Sequence, residues 1–464
     1  MEAATGMIQN TSSAPNTQHS TLNTQHSTLR PRYLYVAYTL SLMLKAANAV
    51  QTLQTTRHLR DLAAAEGATL TVVVPRWLRE PSQFAEVLGP NVRHLPRIPF
   101  NKLTRFWKTG ALSYVERTAW SAQLLAWIGW QRLRGRGFAA VYVRDAVCAY
   151  WLARAGGLTG APLVYEVHDL EQTNPSGVPG AGWTRVRSTL DRVTIRRPTR
   201  LVSLTVTFRD YLAAQRLRPA ADVSVIPDAY DDSLYTGTPQ AAARAALDLP
   251  AAAFIVGYAG LTFAYRRLDL LVTAFAALRA RVDPARPCVL VLAGGRSAEQ
   301  TDLATQARQL GLTVIRGPWS VVSIHGVASK SSELSTQNSE LVLLPGQVDQ
   351  PAVAQWLAAA DVLVIPDTVT TLTASPLKLF EYMAAGRPIV LRELPALREI
   401  LGDDGVYFPA GDAAALTAAL ADLATDPARA ARLGHAAAAR AGAYTYRARA
   451  ARVLAVLRSV QRLP

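Results

Sequence analysis

The chain predicts two α/β domains, each a doubly wound parallel sheet flanked by helices, facing one another across a cleft. Three observations carry this prediction. Apolar, β-branched runs alternate with helical stretches, the pattern of parallel strands buried on both faces. The alternation restarts at Phe254-Ile255-Val256-Gly257-Tyr258-Ala259-Gly260, after a polar connector containing Pro and Gly. A length of 464 residues also exceeds what one hydrophobic core sustains. Two such sheets place a ligand cleft beyond their strand ends.

In chain order, residues 1–30 hold a tandem repeat: Asn16 to Leu22 recurs as Asn23 to Leu29. The repeat is polar and without helical or strand period, so a disordered tail is expected, and its histidines His19 and His26 are poor ligand candidates. The first domain, 31–228, opens with a strand at Tyr33–Tyr38, a helix from Ala46 to Ala65 stopped by Gly67, and a strand at Leu70–Val74. Strands follow at Ala140–Arg144, Leu163–Val167, Leu201–Leu204 and Val223–Pro227. The stretch 229–252 is the linker, beginning at the polar run Asp228-Ala229-Tyr230-Asp231-Asp232. The second domain, 253–443, has strands at Phe254–Gly260, Val289–Ala293, Leu312–Ile315 and Val362–Ile365. Within it, 320–343 has a low-complexity flavour like that of the tail and is expected to be an inserted surface loop. Residues 444–464 form a last helix.

Composition narrows the class. Half the residues are hydrophobic and 18% are charged, as in a buried globular protein. Cys148 and Cys288 stand in different domains within apolar runs, which suits core thiols in a reducing compartment. The first thirty residues lack the apolar region of a secretory signal, and no apolar run is long enough to span a bilayer, so a cytoplasmic protein is expected. The net charge is +15, and 18 Lys/Arg against 6 Asp/Glu between Arg30 and Arg154 contribute much of it. Phosphorylated substrates or an anionic membrane surface would suit that excess, and no nucleic-acid motif accompanies it. Phe106, Trp107, Tyr114, Trp120, Trp127 and Trp130 precede Arg132-Leu133-Arg134-Gly135-Arg136. That segment fits either an interfacial helix, making the protein peripheral on the inner face of the plasma membrane, or an amphipathic helix packed on its own sheet.

The most informative segment is Ala374-Ser375-Pro376-Leu377-Lys378-Leu379-Phe380-Glu381-Tyr382-Met383-Ala384-Ala385-Gly386-Arg387-Pro388. Ser375 is a good N-cap, Pro376 suits the first helical position, and Gly386 with Pro388 ends the helix. Strands flank it on both sides, so its free N–H groups face the crevice where anions bind. Lys378 and Glu381, three apart, share a face. A cation for phosphate and a carboxylate for sugar hydroxyls suit a nucleotide sugar, although spacing alone fits a solvated surface helix equally well.

The run S-P-x-K-x-x-E-Y-M-A-x-G-x-P resembles the donor-site signature of family 4 of the retaining glycosyltransferases, which have the GT-B fold. The resemblance extends over roughly 33–460 apart from the insertion. It implies donor contacts from Gly260, Arg266, Thr373, Ser375, Pro376 and Leu377. Relatives carry a lysine at the position of Arg266, and many have an arginine where this chain has Leu261. Glu381 matches the later glutamate of the family's E-x7-E motif, whereas Thr373 replaces the earlier one. In relatives a strand-end His-Asp or His-Glu meets the donor sugar, which points to His168 in Tyr165-Glu166-Val167-His168-Asp169; with Lys378 and Glu381 it completes the implied catalytic set. Arg144 ends the neighbouring strand, and Asn48 and Gln51 match an N-A-x-Q acceptor loop that here lacks its glycine pair. Tyr444-Thr445-Tyr446-Arg447 resembles the segment that crosses back to the first domain.

The expected activity is retaining transfer of a hexosyl unit from a nucleotide-diphosphate sugar, with no cofactor, to a glycan, lipid-linked or other acceptor, as in polysaccharide biosynthesis. The departing diphosphate would be stabilised by cations and a helix N-terminus. Metal-independent chemistry is expected, because the acidic pair Asp403-Asp404 stands in a turn beside Gly402. A GT-B-fold nucleotide-sugar epimerase would instead need acid/base carboxylates in the cleft, and Thr373 and Leu261 leave open a degenerate, non-catalytic sugar-nucleotide binder.

Overall fold

A computed structural model describes residues 30–39, 42–43, 47–98, 110–172, 181–235, 237–317, 340–368 and 370–461. The tail repeat, Phe106, Trp107 and most of the expected insertion lie outside these residues.

Two seven-stranded, wholly parallel sheets organise the chain. The first contains β1 (Arg32–Val36), β2 (Thr69–Arg76), β3 (Val92–Pro96), β4 (Ala140–Val143), β5 (Leu163–Val167), β6 (Arg200–Ser203) and β7 (Val223–Val225), in the order β3-β2-β1-β4-β5-β6-β7. The second contains β8 (Phe254–Ala259), β9 (Cys288–Ala293), β10 (Thr313–Arg316), β11 (Glu340–Gly346), β12 (Val362–Ile365), β13 (Ile389–Arg392) and β14 (Val406–Phe408), in the order β10-β11-β9-β8-β12-β13-β14. Winding reverses between β1 and β4 in one sheet and between β8 and β12 in the other. Those switch points open the crevices in which α/β sheets bind ligands.

Each sheet is covered on both faces, so its inner strands are buried: β4, β5, β8, β9 and β12 are buried at every position. Four apolar clusters line the four sheet faces. Cys148 and Cys288 are both buried, and neither is in a disulfide. The last helix, Tyr446–Val460, packs on the helix Ala47–Ala65 of the first domain and places Ala450, Val453, Leu454 and Leu457 in that domain's core.

One expectation needs correction. Residues 340–343 are part of β11, between β10 and β9, where Leu341, Val342 and Leu343 are at most 4% exposed. The polar tract before them ends at a core strand. The aromatic segment, where it is described, takes the second of its two expected forms, an amphipathic helix packed on its own sheet. In the helix Gly110–Leu133, Trp120 is buried in the first domain's core and Trp127 packs half-buried against it, leaving Trp130 exposed. No described helix is long and apolar enough to cross a membrane.

Candidate active site

Below the β8–β12 switch point, the helix Leu377–Ala384 buries Leu379, Phe380, Tyr382 and Met383. The Tyr382 hydroxyl accepts a bond from the Ala259 N–H at 2.8 Å, which ties the helix to the end of β8. Its start differs from expectation. Pro376 is the N-cap, without a side-chain capping bond, and the Ser375 hydroxyl accepts the Asp228 N–H at 3.0 Å instead. A linker amide has claimed the hydroxyl that would have capped the helix. Gly386 closes the far end in the left-handed conformation, at φ +68°.

Lys378 is buried, with its Nζ 2.5 Å from the Tyr258 hydroxyl and 3.9 Å from that ring's centroid. Burial, and then the Arg266 guanidinium, push its pKa far below the ordinary lysine value. Glu381 is half-buried; its desolvation, against the pull of Lys378, raises its pKa to about 7. Gly260 follows β8 at φ +139°, and a Cβ there would lie 2.9 Å from Lys378 Nζ. Gly294 follows β9 at φ +109°, and its Cβ would lie 2.3 Å from the Gly260 carbonyl oxygen. Only glycine permits this approach of the two loops. Arg266 ends the short turn Ala264–Arg266, lies over the Tyr265 ring at 4.9 Å, and has a buried Nε with no hydrogen-bond partner. An unpartnered guanidinium nitrogen beside a desolvated lysine makes an anion-accepting corner.

At the β1–β4 switch point a cavity of about 340 Å³ is lined by residues including Tyr38, Asn48, Arg117, Arg144, His168 and Glu171. Its floor is an ion-pair cluster whose centre, Glu166, the sequence reading had not singled out. Glu166 is fully buried near the end of β5. It accepts bonds from Arg144 Nε at 3.0 Å, Arg449 Nη2 at 2.7 Å and the Tyr142 hydroxyl, and lies 2.8 Å from His168 Nε2. Burial would raise its pKa, but Arg449 and Arg144 hold it well below the carboxylate range. A carboxylate inside the apolar run Leu163-Val164-Tyr165-Glu166-Val167 was the available signal; the partner Arg449, 283 residues away, had none.

The cluster uses several expected site residues. Gln51 is buried, its amide oxygen accepting from Arg144 and its nitrogen donating to Asp228, so it supports the floor and does not line the cavity. Arg144 also donates to Thr52 and, at 3.4 Å, to the Asn48 carbonyl. Asn48 is exposed and faces the cavity, as does His168, whose side chain is 35% exposed. Thr373 is buried, its hydroxyl 3.0 Å from that of Thr370; Leu377 and Pro376 are half-buried at the helix start. The two halves meet through the linker. Asp228 accepts from Gln51 in the first domain, while its own N–H reaches Ser375 in the second. A third cavity of about 440 Å³ opens at the end of β11 beside Gly346, Gln347 and Arg316.

The glycosyl transferases group 1 model matches residues 253–426, and the glycosyl transferase 4-like domain model matches residues 51–229. D-inositol 3-phosphate glycosyltransferase 1 of Catenulispora acidiphila is 28% identical over 330 residues, 68% of this chain and 72% of that protein. The D-inositol 3-phosphate glycosyltransferase of Thermobispora bispora is 26% identical over 321 residues, 66% and 68% of the two chains. Among solved structures, Anabaena HepE in complex with UDP superposes with TM-score 0.63 at 16% identity over 92% of this chain and 100% of that one. Sucrose-phosphate synthase from Thermosynechococcus elongatus gives 0.64 at 19%, over 93% and 99%. Both domains therefore match their counterparts in sequence and the whole chain matches in shape: it belongs to the group 1 glycosyltransferases of family 4 and is a glycosyltransferase with the GT-B fold.

Proposed function

We propose that the protein transfers a sugar, with retention of anomeric configuration, from a nucleotide-diphosphate sugar to a hydroxyl of a glycan, lipid-linked or other polyol acceptor. The observation that carries this reading is the corner formed by Gly260, Arg266 and Lys378: an unpartnered buried guanidinium nitrogen, a desolvated lysine and a glycine backbone at one switch point. A diphosphate there would restore charge to Lys378 and stabilise the leaving group as negative charge develops on it. Glu381 would accept from the ribose hydroxyls and His168 would meet the transferred sugar, with Asn48 on the acceptor side. Structures of Anabaena HepE with UDP and with UDP-glucose support a uridine diphosphate sugar as the first donor to test. The names of the curated relatives support an inositol phosphate among the first acceptors.

In this reading Arg266 and Lys378 carry the phosphate charge without a metal, and turnover persists in EDTA. The test is a calorimetric titration with UDP together with donor hydrolysis in the absence of acceptor. Lys378→Ala and Glu381→Gln should each reduce hydrolysis about a hundredfold or more while the protein stays folded. Wild-type hydrolysis in both variants would overturn the assignment. UDP binding without hydrolysis or transfer would favour a non-catalytic binder.

A further inference from the structure

Behind the polar cavity lies a second, apolar one of about 380 Å³ between the helices Gly110–Leu133, Ala146–Arg154 and Ala181–Arg196. Val147, Tyr150, Trp151, Val186 and Leu190 supply its apolar walls. The two cavities stand back to back. Arg117 faces the first and Thr118 the second; Ala146 faces the first and Val147 the second. Between the two, the Tyr114 hydroxyl on the apolar side donates to Glu171 on the polar side at 2.5 Å. The apolar walls are held rigidly. Trp151 Nε1 donates to Thr118 Oγ1 at 3.2 Å, and the Tyr150 and Trp151 rings meet edge to face with centroids 5.2 Å apart. Val186, at the mouth, is 46% exposed. An apolar pocket that abuts a polar one, with lining residues of the two hydrogen-bonded to each other, is suited to an amphiphile whose polar part occupies the polar pocket.

We propose that this second cavity is an acceptor subsite that holds an alkyl aglycone, the apolar continuation of a hydroxyl-bearing group seated between Asn48, Arg117 and His168. The proposal rests on the glycosyltransferase reading and narrows it, assigning an amphiphilic acceptor in place of a free polyol. Glu171 and Tyr114 then act as positioning residues, setting where the polar head ends and the chain begins.

The test uses the full chain and two probes, methyl β-D-glucoside and octyl β-D-glucoside below its micelle concentration, titrated calorimetrically in the presence of UDP. The octyl glucoside should bind about tenfold or more tighter than the methyl glucoside, since each buried methylene adds to the transfer free energy. Thr189→Trp, at an exposed position lining the cavity, should fill it and abolish that difference while leaving UDP affinity unchanged. Val186→Asp should do the same by placing a charge at the mouth. Equal affinities for the two glucosides, or an octyl preference that survives both substitutions, would overturn the proposal. Failure to bind UDP at all would count against the transferase reading, whereas an octyl preference sensitive to Thr189→Trp would still establish the apolar subsite.

Discussion

At the scale of single residues, the first domain separates support from exposure. Glu166 is enclosed by Arg144, Arg449, Tyr142 and His168, and two of these partners are guanidiniums in the same buried space. Glu166→Gln should therefore lower stability by about 3–5 kcal/mol, because it leaves buried cations uncompensated. His168→Ala, at a partly exposed side chain, should cost less than about 1 kcal/mol yet remove most transfer; thermal unfolding beside an activity assay checks both. Glu381 gives a pH signature. Its folded-state pKa of about 7 lies above the ordinary carboxylate value of 4.5, so the folded protein holds a proton that the unfolded chain has released. Stability must fall as pH rises through that window, and Glu381→Gln should be the more stable protein at pH 8 by roughly 2–3 kcal/mol. Equal denaturation midpoints at pH 8 would show that Glu381 is solvated. Lys378 and Glu381 were legible because they fall within one dense motif. Glu166 and Arg449 were not, since their partnership exists only after the last helix has returned to the first domain.

At the scale of elements, every inner strand with a continuous apolar run except β11 could be read from the sequence, and so could the edge strands β7 and β10, whose residues are at least half apolar. β3 escaped because Val-Arg-His-Leu-Pro lies at a sheet edge with only Leu95 buried, and β14 is a three-residue edge strand. β11 escaped for another reason. Its apolar residues follow directly on Ser-Thr-Gln-Asn-Ser-Glu, so the polar tract masked the strand's start. The consequence can be tested. β10 and β11 are parallel neighbours, with Thr313 opposite Leu341 and Arg316 opposite Leu344. Parallel neighbours cannot be joined by a tight turn, so two such strands need a connection long enough to span their length. Removing 322–342 would delete the first three of the seven residues of β11 and leave too short a connection, and should yield insoluble protein. Removing about ten residues within 322–335 should leave soluble, active protein, because loop length itself carries a small entropic cost. Soluble expression of the two deletions side by side decides the matter. If the long deletion remained soluble and active, β11 would not be the strand that completes the sheet.

At the scale of the whole molecule, two domains with separate cores are joined by the linker after Asp228, by the return through Tyr446, and by one polar latch. Tyr230 pairs with the returning chain, its N–H donating to the Tyr444 carbonyl and its carbonyl accepting from the Tyr446 N–H, each at 3.1 Å. The latch is Glu399 of the second domain. It accepts from the N–H groups of Val206 at 2.6 Å and Thr207 at 2.8 Å and from the Thr207 hydroxyl at 2.9 Å, at the start of the first-domain helix Val206–Ala214. Beside it, the Thr205 hydroxyl donates to the Leu372 carbonyl at 2.6 Å. A carboxylate at a helix N-terminus satisfies orphan donors and complements the helix dipole, but here the carboxylate and the helix belong to different domains. Charge-assisted bonds across a hinge stabilise the closed arrangement without contributing to either core. Glu399→Ala should thus weaken closure by about 2 kcal/mol, roughly thirtyfold in the closed-to-open ratio, with little effect on the unfolding of either domain. Small-angle scattering should show a larger radius of gyration for the variant, and kinetics a higher KM for the donor, as expected where donor contacts come from both domains. A donor present in excess should bring the radius of gyration back toward the wild-type value, since a ligand that binds the closed form shifts the population by mass action. An unchanged radius together with an unchanged KM would mean that the linker and the returning helix set the domain arrangement on their own.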